Sequence, residues 1–256
     1  MAEERQTNYT IGETVELPSK GLIYNKPINP CIELRSMTAR DEMKRLNPSS
    51  TQFKNLADII EGCCIEKPAI HVYDMALGDY EFLLHKLRII TYGDSYKIGL
   101  HCPYCNKQID TETHLENLAI KPFDIDKFNS LKEITLPKSN HTVVLKFQTP
   151  RMLDEIESKT KEMKRRFQNA DIAFDMLVLL LSVIDTVDGE KMEQSKLETF
   201  INNLPAKDMA KIINSIDDLN ALIGIDNTLI VDCPNCGGEV RTSFRYGSEF
   251  FRPTNI

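Results

Sequence analysis

Two cysteine pairs that stand more than half the chain apart constrain the fold more than any other feature of this 256-residue sequence. They are Cys102-Pro103-Tyr104-Cys105 and Cys233-Pro234-Asn235-Cys236. Each pair places two thiolates one tight turn apart, and the two pairs together predict one structural Zn²⁺ held by four thiolates in a tetrahedral site. Four thiolates leave no coordination position for water, so the predicted site is closed and not catalytic.

The residues around each pair predict the strands of a zinc ribbon. Apolar and β-branched residues partly alternate over residues 96–101 and 108–115, as they do in half-exposed strands. The second pair repeats this plan: residues 228–231 lead in, Gly237-Gly238 permits a tight turn, and residues 240–244 lead out. The sequence therefore predicts a ribbon assembled from two distant halves.

Other interpretations of the four cysteines stay open. A disulfide within each pair is geometrically possible and is typical of thioredoxin-like redox proteins, but there the motif opens a helix in a βαβ unit, a context that neither pair has. Buried, inert thiols without a metal are a further alternative. His101 and His114 flank the first pair and could replace a ligand, although a histidine beside a ribbon is more often a surface or supporting residue.

The remaining cysteines are Cys31, Cys63 and Cys64, which form no metal-binding spacing with one another. Cys63 and Cys64 end the apolar stripe of a predicted helix. The odd cysteine count and the lack of a recognisable signal peptide argue against a secreted disulfide framework. We therefore expect a reducing cytoplasm.

Length and charge exclude several classes of function. The sequence contains no run of about eighteen apolar residues, the length that would predict a membrane span. The formal net charge of −7 argues against broad contact with nucleic-acid phosphates, and the absence of Trp leaves few residues on which bases could stack. We expect a soluble globular protein whose main partner is not a nucleic acid.

The N-terminal part is predicted to combine short strands with helices. Its expected elements are a strand and a Pro/Gly-bounded turn within residues 14–24, a strand over residues 31–35, a short helix capped by Thr38 and Asp41 that stops near Pro48, and helices over residues 52–64 and 74–91. The turn within residues 17–24 is either a plain structural turn or a fixed loop that displays apolar residues to a partner.

The segment between the two cysteine pairs is predicted to open with a hairpin over residues 134–147 and then to be helical. About four helices are expected: one after the Thr149-Pro150 cap, one over residues 172–184, one capped by Ser195, and one that begins at Pro205 and is closed by Gly224. The second of these has almost no polar face, so it should run through a helical bundle or an interface. Residues 185–189 are expected to form a turn.

These elements define an α+β fold class. It combines a β-rich N-terminal part with short helices, a four-cysteine zinc ribbon assembled from two distant knuckles, and an inserted helical subdomain. We expect the N-terminal region and the first half of the ribbon in residues 1–120, the inserted hairpin and helical subdomain in residues 121–226, and the second half of the ribbon with the C-terminal tail in residues 227–256.

No catalytic apparatus is recognisable. The sequence has no G-x-S-x-G elbow, no H-E-x-x-H motif and no phosphate-binding P-loop. Asp217-Asp218 and the Asp185/Asp188 pair could recruit a divalent metal, but such pairs more often cap or solvate helix ends. We predict a protein that is not an enzyme and has no catalytic residues.

Three segments of the N-terminal half carry a family resemblance. They are residues 16–24 (Glu-Leu-Pro-Ser-Lys-Gly-Leu-Ile-Tyr), residues 32–42 (Ile-Glu-Leu-Arg-Ser-Met-Thr-Ala-Arg-Asp-Glu), and residues 87–93 ahead of the first cysteine pair. In this order they resemble the baseplate hub assembly proteins of contractile-tailed, T-even-type bacteriophages. The resemblance covers about residues 13–120 and recurs weakly through the second pair, whereas the helical insertion matches no pattern of the family.

The resemblance implies a role in virion assembly, with other phage tail and baseplate proteins as partners and no catalytic residues to carry over. It places the protein in the cytoplasm of the infected bacterium during construction of the baseplate hub, with the tail baseplate of the virion as a further expected location. We hypothesise that the zinc ties the chain before the insertion to the chain after it. The subunit that is bound and the oligomeric state do not follow from the sequence.

The main alternative is a zinc-ribbon module that binds nucleic acid or assists transcription. Its support is a C-terminal run in which cations alternate with aromatic residues, namely Arg241, Phe244, Arg245, Tyr246, Phe250, Phe251 and Arg252. The same run is compatible with a strand and a tail that pack on a protein.

Overall fold

The structure is a computed structural model that describes residues 12–47, 49, 51–167, 173–243, 246 and 248–251. Strand β1 (Glu13–Glu16) pairs antiparallel with β2 (Cys31–Leu34), as the sequence predicts. The connection between them does not display its apolar residues as the docking interpretation expects, because Leu17, Ile23 and Tyr24 are buried. It is a structural turn that packs on the body of the protein, and Leu22 is its one exposed large apolar residue among those described.

Three helices follow. Helix α1 (Ala39–Leu46) has the predicted N-cap: Asp41 donates its backbone N–H to the Thr38 hydroxyl and returns a carboxylate to the Thr38 N–H, which is a capping box. Helix α2 is Gln52–Cys63, and α3 is Leu77–Tyr92. Helix α3 begins three residues later than predicted because Val72–Asp74 form a separate 3₁₀ turn that Met75 ends.

The chain then forms the hairpin β3 (Ser95–His101) and β4 (Gln108–His114), which contains the first cysteine pair at its tip. Helix α4 (Ile125–Lys132) was not predicted. Its signal is present in the sequence, since the Asp124 side chain caps the N–H groups of Asp126 and Lys127.

The predicted hairpin is β5 (Glu133–Thr135) with β6 (Thr142–Leu145). Helix α5 is Pro150–Arg166, with Thr149 as its cap, and α6 is Phe174–Val183. The prediction that this apolar segment stays helical to Ile184 and then turns is wrong, because Ile184–Val187 form β7, the third strand of the sheet, in the order β5-β6-β7. Ile172, at the predicted start of α6, lies outside the described residues.

Two further helices complete the segment between the cysteine pairs. Helix α7 is Gln194–Asn202, with Glu193 at the N-cap, so the prediction that Ser195 caps it is wrong. Helix α8 is Ala206–Ala221, directly after Pro205. Five helices, α4 to α8, therefore occupy the described part of this segment, one more than the sequence predicts. The chain ends in the hairpin β8 (Thr228–Asp232) and β9 (Glu239–Ser243), followed by a short 3₁₀ turn at Ser248–Phe251.

Three clusters of buried side chains hold these elements together. The largest unites the N-terminal elements with residues from far along the chain, including Phe128, Ile223, Phe250 and Phe251. A second cluster lies between the β5-β6-β7 sheet and helices α6 to α8, and all its buried members fall between Ile134 and Ile216. A third surrounds the cysteine pairs. Helix α6 contributes Leu177, Leu180 and Val183 to the second cluster, in line with its apolar composition.

The insertion returns to the N-terminal elements through a close backbone contact. A Cβ atom at Gly78, in the first turn of α3, would lie 2.4 Å from the carbonyl oxygen of Ile223. Gly224, which has φ +110°, approaches Gly78 from the same segment. Only glycine at position 78 allows the chain after α8 to pass this close to α3.

Candidate metal centre

Each cysteine pair sits on the same tight turn at the tip of a hairpin. The Cys102 N–H donates to the Lys107 carbonyl and the Cys102 carbonyl accepts from the Asn106 N–H, both at 2.9 Å. In the second hairpin the Cys233 N–H donates to Gly238 at 2.9 Å, and the Cys233 carbonyl accepts from Gly237 at 2.8 Å. These backbone hydrogen bonds close each turn around the two sulfur atoms that it carries.

The turns require a left-handed backbone just after the second cysteine of each pair. Gly237 has φ 68° there and Asn106 has φ 56°. Glycine at position 237 indicates a left-handed backbone in the sequence itself. Asparagine at position 106 indicates it more weakly, although asparagine is one of the few other residues that tolerate this conformation. The two halves are therefore equivalent in backbone geometry.

The two turns face each other and bring the four sulfur atoms within 4.8 Å of one another. The Sγ atoms of Cys102 and Cys236 are 3.7 Å apart, as are those of Cys105 and Cys233. Tetrahedral Zn–S bonds of about 2.3 Å require sulfurs about 3.8 Å apart. A disulfide would require about 2.05 Å, and all four thiols are free. The geometry fits a four-thiolate metal ion and does not fit disulfides.

The strands of the ribbon shield the sulfur atoms from solvent on one side, and one of the four cysteines is exposed to solvent. Cys102 and Cys233 are buried, Cys105 is intermediate and Cys236 is exposed. Ile109 and Val240 pack beneath the sulfurs, with Leu100 and Val231 at the edge.

The ring of Tyr104 lies over Gly238, so that a Cβ there would meet Tyr104 Cδ2 at 2.5 Å. Gly238 therefore serves to admit this ring and to bring the two knuckles into contact.

The environment of the sulfurs separates their pKa values. Burial raises the pKa of Cys233, but hydrogen bonds from the backbone N–H groups of Asn235 and Cys236 and from neighbouring thiols outweigh it, and the pKa falls. The Gly238 N–H lowers the pKa of Cys236, yet loss of hydration and sharing of protons with the other sulfurs raise it overall. A metal ion bound here would displace the protons of these thiols, because the thiolate is the ligand.

The other candidate ligands lie apart from this cluster. The Nδ1 atom of His114 is 2.6 Å from Asp94 Oδ2, and His101 is exposed on β3. Cys63 is buried on α2, where burial raises its pKa to about 11, and burial likewise raises the pKa of Cys64 to about 12. Cys31 is exposed on β2. Within the described residues, the four predicted cysteines are the only group of this kind that could hold a metal ion.

The carboxylates considered for a divalent metal have other roles. Asp188 accepts from the Thr142 N–H and pairs with His141, and Asp185 lies 3.7 Å from the Lys146 ammonium. Asp217 and Asp218 are exposed on α8.

The C-terminal run of cations and aromatic residues is not a stacking platform in the part that is described. Phe250 and Phe251 are each 1 % exposed and belong to the largest core. Tyr246 packs against Phe250 at 5.1 Å between ring centroids, and Arg241 pairs with Glu239 on its own strand. Phe244, Arg245 and Arg252 lie outside the described residues.

Comparison with known proteins adds a match along nearly the whole chain. The family model described as T4 bacteriophage base plate protein matches residues 10–252. The chain belongs to this family. No curated protein and no solved structure matches it.

Membership of the baseplate family confirms the resemblance drawn from the three N-terminal segments, and it extends that resemblance over the insertion and the second cysteine pair. A member of this family is a structural protein of the phage baseplate, and other tail proteins are its partners. No helix in the described ranges is long and apolar enough to cross a membrane.

Proposed function

We propose that this chain is a non-enzymatic structural and assembly protein that acts in formation of the tail baseplate hub through protein–protein contacts, with one structural zinc ion. The observation that carries the proposal is the family match over residues 10–252, which includes both cysteine pairs. Assembly takes place in the cytoplasm of the infected bacterium, and the tail baseplate of the virion is the destination.

The zinc would be held by Cys102, Cys105, Cys233 and Cys236, whose sulfur spacing suits tetrahedral coordination. It supplies a closed structural cross-link. The protein's own contribution is to fix the two knuckles: the turns orient the sulfurs, Tyr104 packs on Gly238, and Lys107 reaches Asn235 at 3.4 Å.

The cross-link would join hairpins that are separated by helices α4 to α8. The ribbon and the insertion would then move as one body and offer a fixed surface to other subunits. The largest core already joins residues from both ends of the chain, so the zinc adds rigidity to the ribbon and is not the only connection.

The test is to follow a tagged copy of the chain in infected cells. Lysates are fractionated by sedimentation, and the chain is quantified in free, hub-intermediate and whole-tail fractions by mass spectrometry. We expect it with hub intermediates, and infections without it should lack complete hubs. Recovery with transcription proteins and without tail proteins would contradict the proposal.

The alternative is a nucleic-acid-binding module. The four-thiol ribbon is still compatible with it, but Phe250 and Phe251 are buried and are not available to stack on bases. Titration with duplex and single-stranded DNA at several salt concentrations separates the two functions. If the chain acts through protein–protein contacts, it should bind neither form of DNA with appreciable affinity. Tight binding with a steep salt dependence would favour the alternative.

A further inference from the structure

A groove of about 780 Å³ lies between helices α5 and α7, with α6 and the start of β7 as its floor. We call it the α5–α7 groove. Helix α6 packs against both α5 and α7, whereas α5 and α7 have no comparable contact with each other in the described ranges. Packed helices lie about 8–10 Å apart, so two helices that flank α6 without such contact leave a position for one more helix between them.

The inside of the α5–α7 groove is apolar and rich in methionine. Its apolar residues include Val178, Leu181 and Ile184 on the floor and Met152, Met163 and Met192 on the walls. The three methionines are half-buried, so part of each side chain is open to solvent. Methionine is unbranched and flexible, and it is common on surfaces that accept the apolar side chains of a partner.

A row of charged side chains with alternating sign runs along the α5 wall of the groove. The row is Arg151, Glu155, Lys159, Glu162 and Arg166, which stand four, four, three and four positions apart. All five side chains are exposed, and the spacing keeps them on one face of α5 over about 22 Å. In coiled coils, charged residues at this spacing beside an apolar seam pair with opposite charges on the neighbouring helix and fix its register.

These charges have only weak partners within the row itself. Lys159 lies 3.9 Å from Glu155, and Arg166 lies 3.9 Å from Glu162. Exposed ion pairs of this kind contribute about 0–1 kcal/mol, so pairing with a neighbouring helix in their place costs little. Positive and negative side chains nearly balance along the row, so the row distinguishes partners by the order of their charges and not by their net charge.

We propose that the α5–α7 groove binds one amphipathic helix of another protein. The apolar stripe of that helix, at positions i, i+3 or i+4, and i+7, faces the methionines and the floor. Beside α5, its acidic side chains face the cations of the row, and its basic side chains face Glu155 and Glu162. The required order, acid-base-acid-base-acid, is the same for a parallel and an antiparallel helix. The inference rests on the proposed function in taking another protein as the partner.

A second copy of this chain is a poorer occupant. Among the described helices, α1 presents two exposed large apolar side chains, Met43 and Leu46. Helix α1 has eight residues, which is about 12 Å, so it would span only half of the charged row.

The test uses the full chain and two fluorescently labelled helical peptides of about 18 residues, which is long enough to span the row. Both peptides have the same leucine stripe, with glutamine on one flank. On the other flank, at the spacing of the row, the first carries Glu-Lys-Glu-Lys-Glu and the second Lys-Glu-Lys-Glu-Lys. Their outer faces are adjusted to give equal net charge. Fluorescence anisotropy should show about tenfold tighter binding of the first peptide.

The decisive variant exchanges two charges of the row, Glu155→Lys with Lys159→Glu. It keeps the net charge and the i, i+4 pair of α5, but reverses two of the five expected contacts with the peptide. The preference for the first peptide should fall to about twofold or less. The matched control is Glu157→Lys with Lys161→Glu, an ion pair on the same helix that does not line the groove, and it should leave the tenfold preference unchanged.

Methionine methyl signals in NMR spectra locate the bound peptide. The signals of Met152, Met163 and Met192 should shift when the first peptide is added, whereas that of Met43, which is 66 % exposed on α1, should not. Met163→Ala should weaken binding of this peptide about tenfold, and Met43→Ala should leave it unchanged.

Several results would contradict this inference. They are equal affinity for the two peptides, no binding of either, methyl shifts away from the groove, and the same effect from the two charge exchanges. Self-association that Met163→Ala weakens would identify a second copy as the occupant and would also reject the inference. If the chain is found in hub intermediates but the peptides bind alike, the proposed function stands and this inference fails. If the chain is absent from tails but the peptide preference is present, the reverse holds.

Discussion

The Ser19 hydroxyl donates a 2.5 Å hydrogen bond to the carboxylate of Asp79, across 60 positions of sequence. The Ser19 N–H donates to the same carboxylate at 3.0 Å, and the Tyr24 hydroxyl donates to it at 2.6 Å. Both Ser19 and Asp79 are completely buried. A single side chain at the start of α3 thus holds the turn that follows β1.

Ser19→Ala should therefore destabilise the protein. It leaves an Asp79 oxygen without one of its donors inside the core, which costs about 1–3 kcal/mol. Urea unfolding followed by circular dichroism measures the change. Ser215→Ala is the matched control, because Ser215 is equally buried but its hydroxyl has no hydrogen-bond partner among the described residues, so its loss should be neutral or stabilising. Equal effects of the two changes would contradict the role of Asp79.

Gly78→Ala tests the close passage of the chain across α3. The new Cβ would meet the Ile223 carbonyl at 2.4 Å, so backbone must shift, and we expect a loss of about 1–3 kcal/mol. Gly62→Ala in α2 is the control, since a Cβ there has no neighbour within 4 Å and alanine favours helix by up to about 1 kcal/mol. A Gly78→Ala protein as stable as the natural chain would show that the passage is looser than described.

Removal of zinc should open the ribbon first. We expect one zinc per chain by atomic absorption and its loss in Cys236→Ser, while Cys31→Ser, another exposed cysteine, keeps it. Where zinc is in about 100-fold excess over its Kd, linkage predicts a loss of about 2.7 kcal/mol on chelation. Proteolysis should then cut within residues 95–114 and 228–243. Unchanged unfolding and unchanged cleavage after chelation would rule out a stabilising cross-link.

Glu81 predicts a pH dependence of stability. Burial raises the pKa of this carboxyl to about 7, with partial relief from Lys121. The pKa of Glu81 in the folded state lies above its unfolded value. Its contribution to the free energy of unfolding is therefore complete below about pH 4.5 and is lost as the pH rises through 7. The loss between pH 5 and 8 is about 2.5 kcal/mol.

Glu81→Gln should remove this loss and flatten the curve of unfolding free energy against pH. The comparison with the natural chain is needed because His85 contributes the opposite slope: burial lowers its pKa to about 4, so its charging opposes folding as the pH falls. Parallel pH curves for the two proteins would show that Glu81 is solvated in the fold.

Local signals in the sequence predicted the parts of the fold that local chemistry determines. The capping pair Thr38 and Asp41, the Thr149-Pro150 start of α5 and the two cysteine turns each depend on neighbours within a few residues. The clustering of the four cysteines was predictable because thiol spacing leaves few other uses for four cysteines.

Long-range contacts account for the remainder. The switch from α6 to β7 at Ile184 cannot be read from periodicity, because an apolar run packs equally well as either element until β6 is available to pair with it. Asp79 resembles any helical carboxylate in sequence, and only the fold places Ser19 and Tyr24 beside it. Phe250 and Phe251 follow a ribbon and look exposed, yet they fill the largest core.

Because the two cysteine pairs are far apart in sequence, the second pair is synthesised well after the first. At about 5–20 residues per second, a ribosome needs roughly 7 to 26 s to reach Cys236 after Cys105. During this time the first knuckle can hold a metal ion with only two thiolates, and Phe250 and Phe251 are not yet present to fill the core. A nascent chain of this kind depends on its surroundings for longer than its size suggests. If the proposed zinc is bound, a shortage of zinc in the cell would affect the newly synthesised chain more than the folded protein.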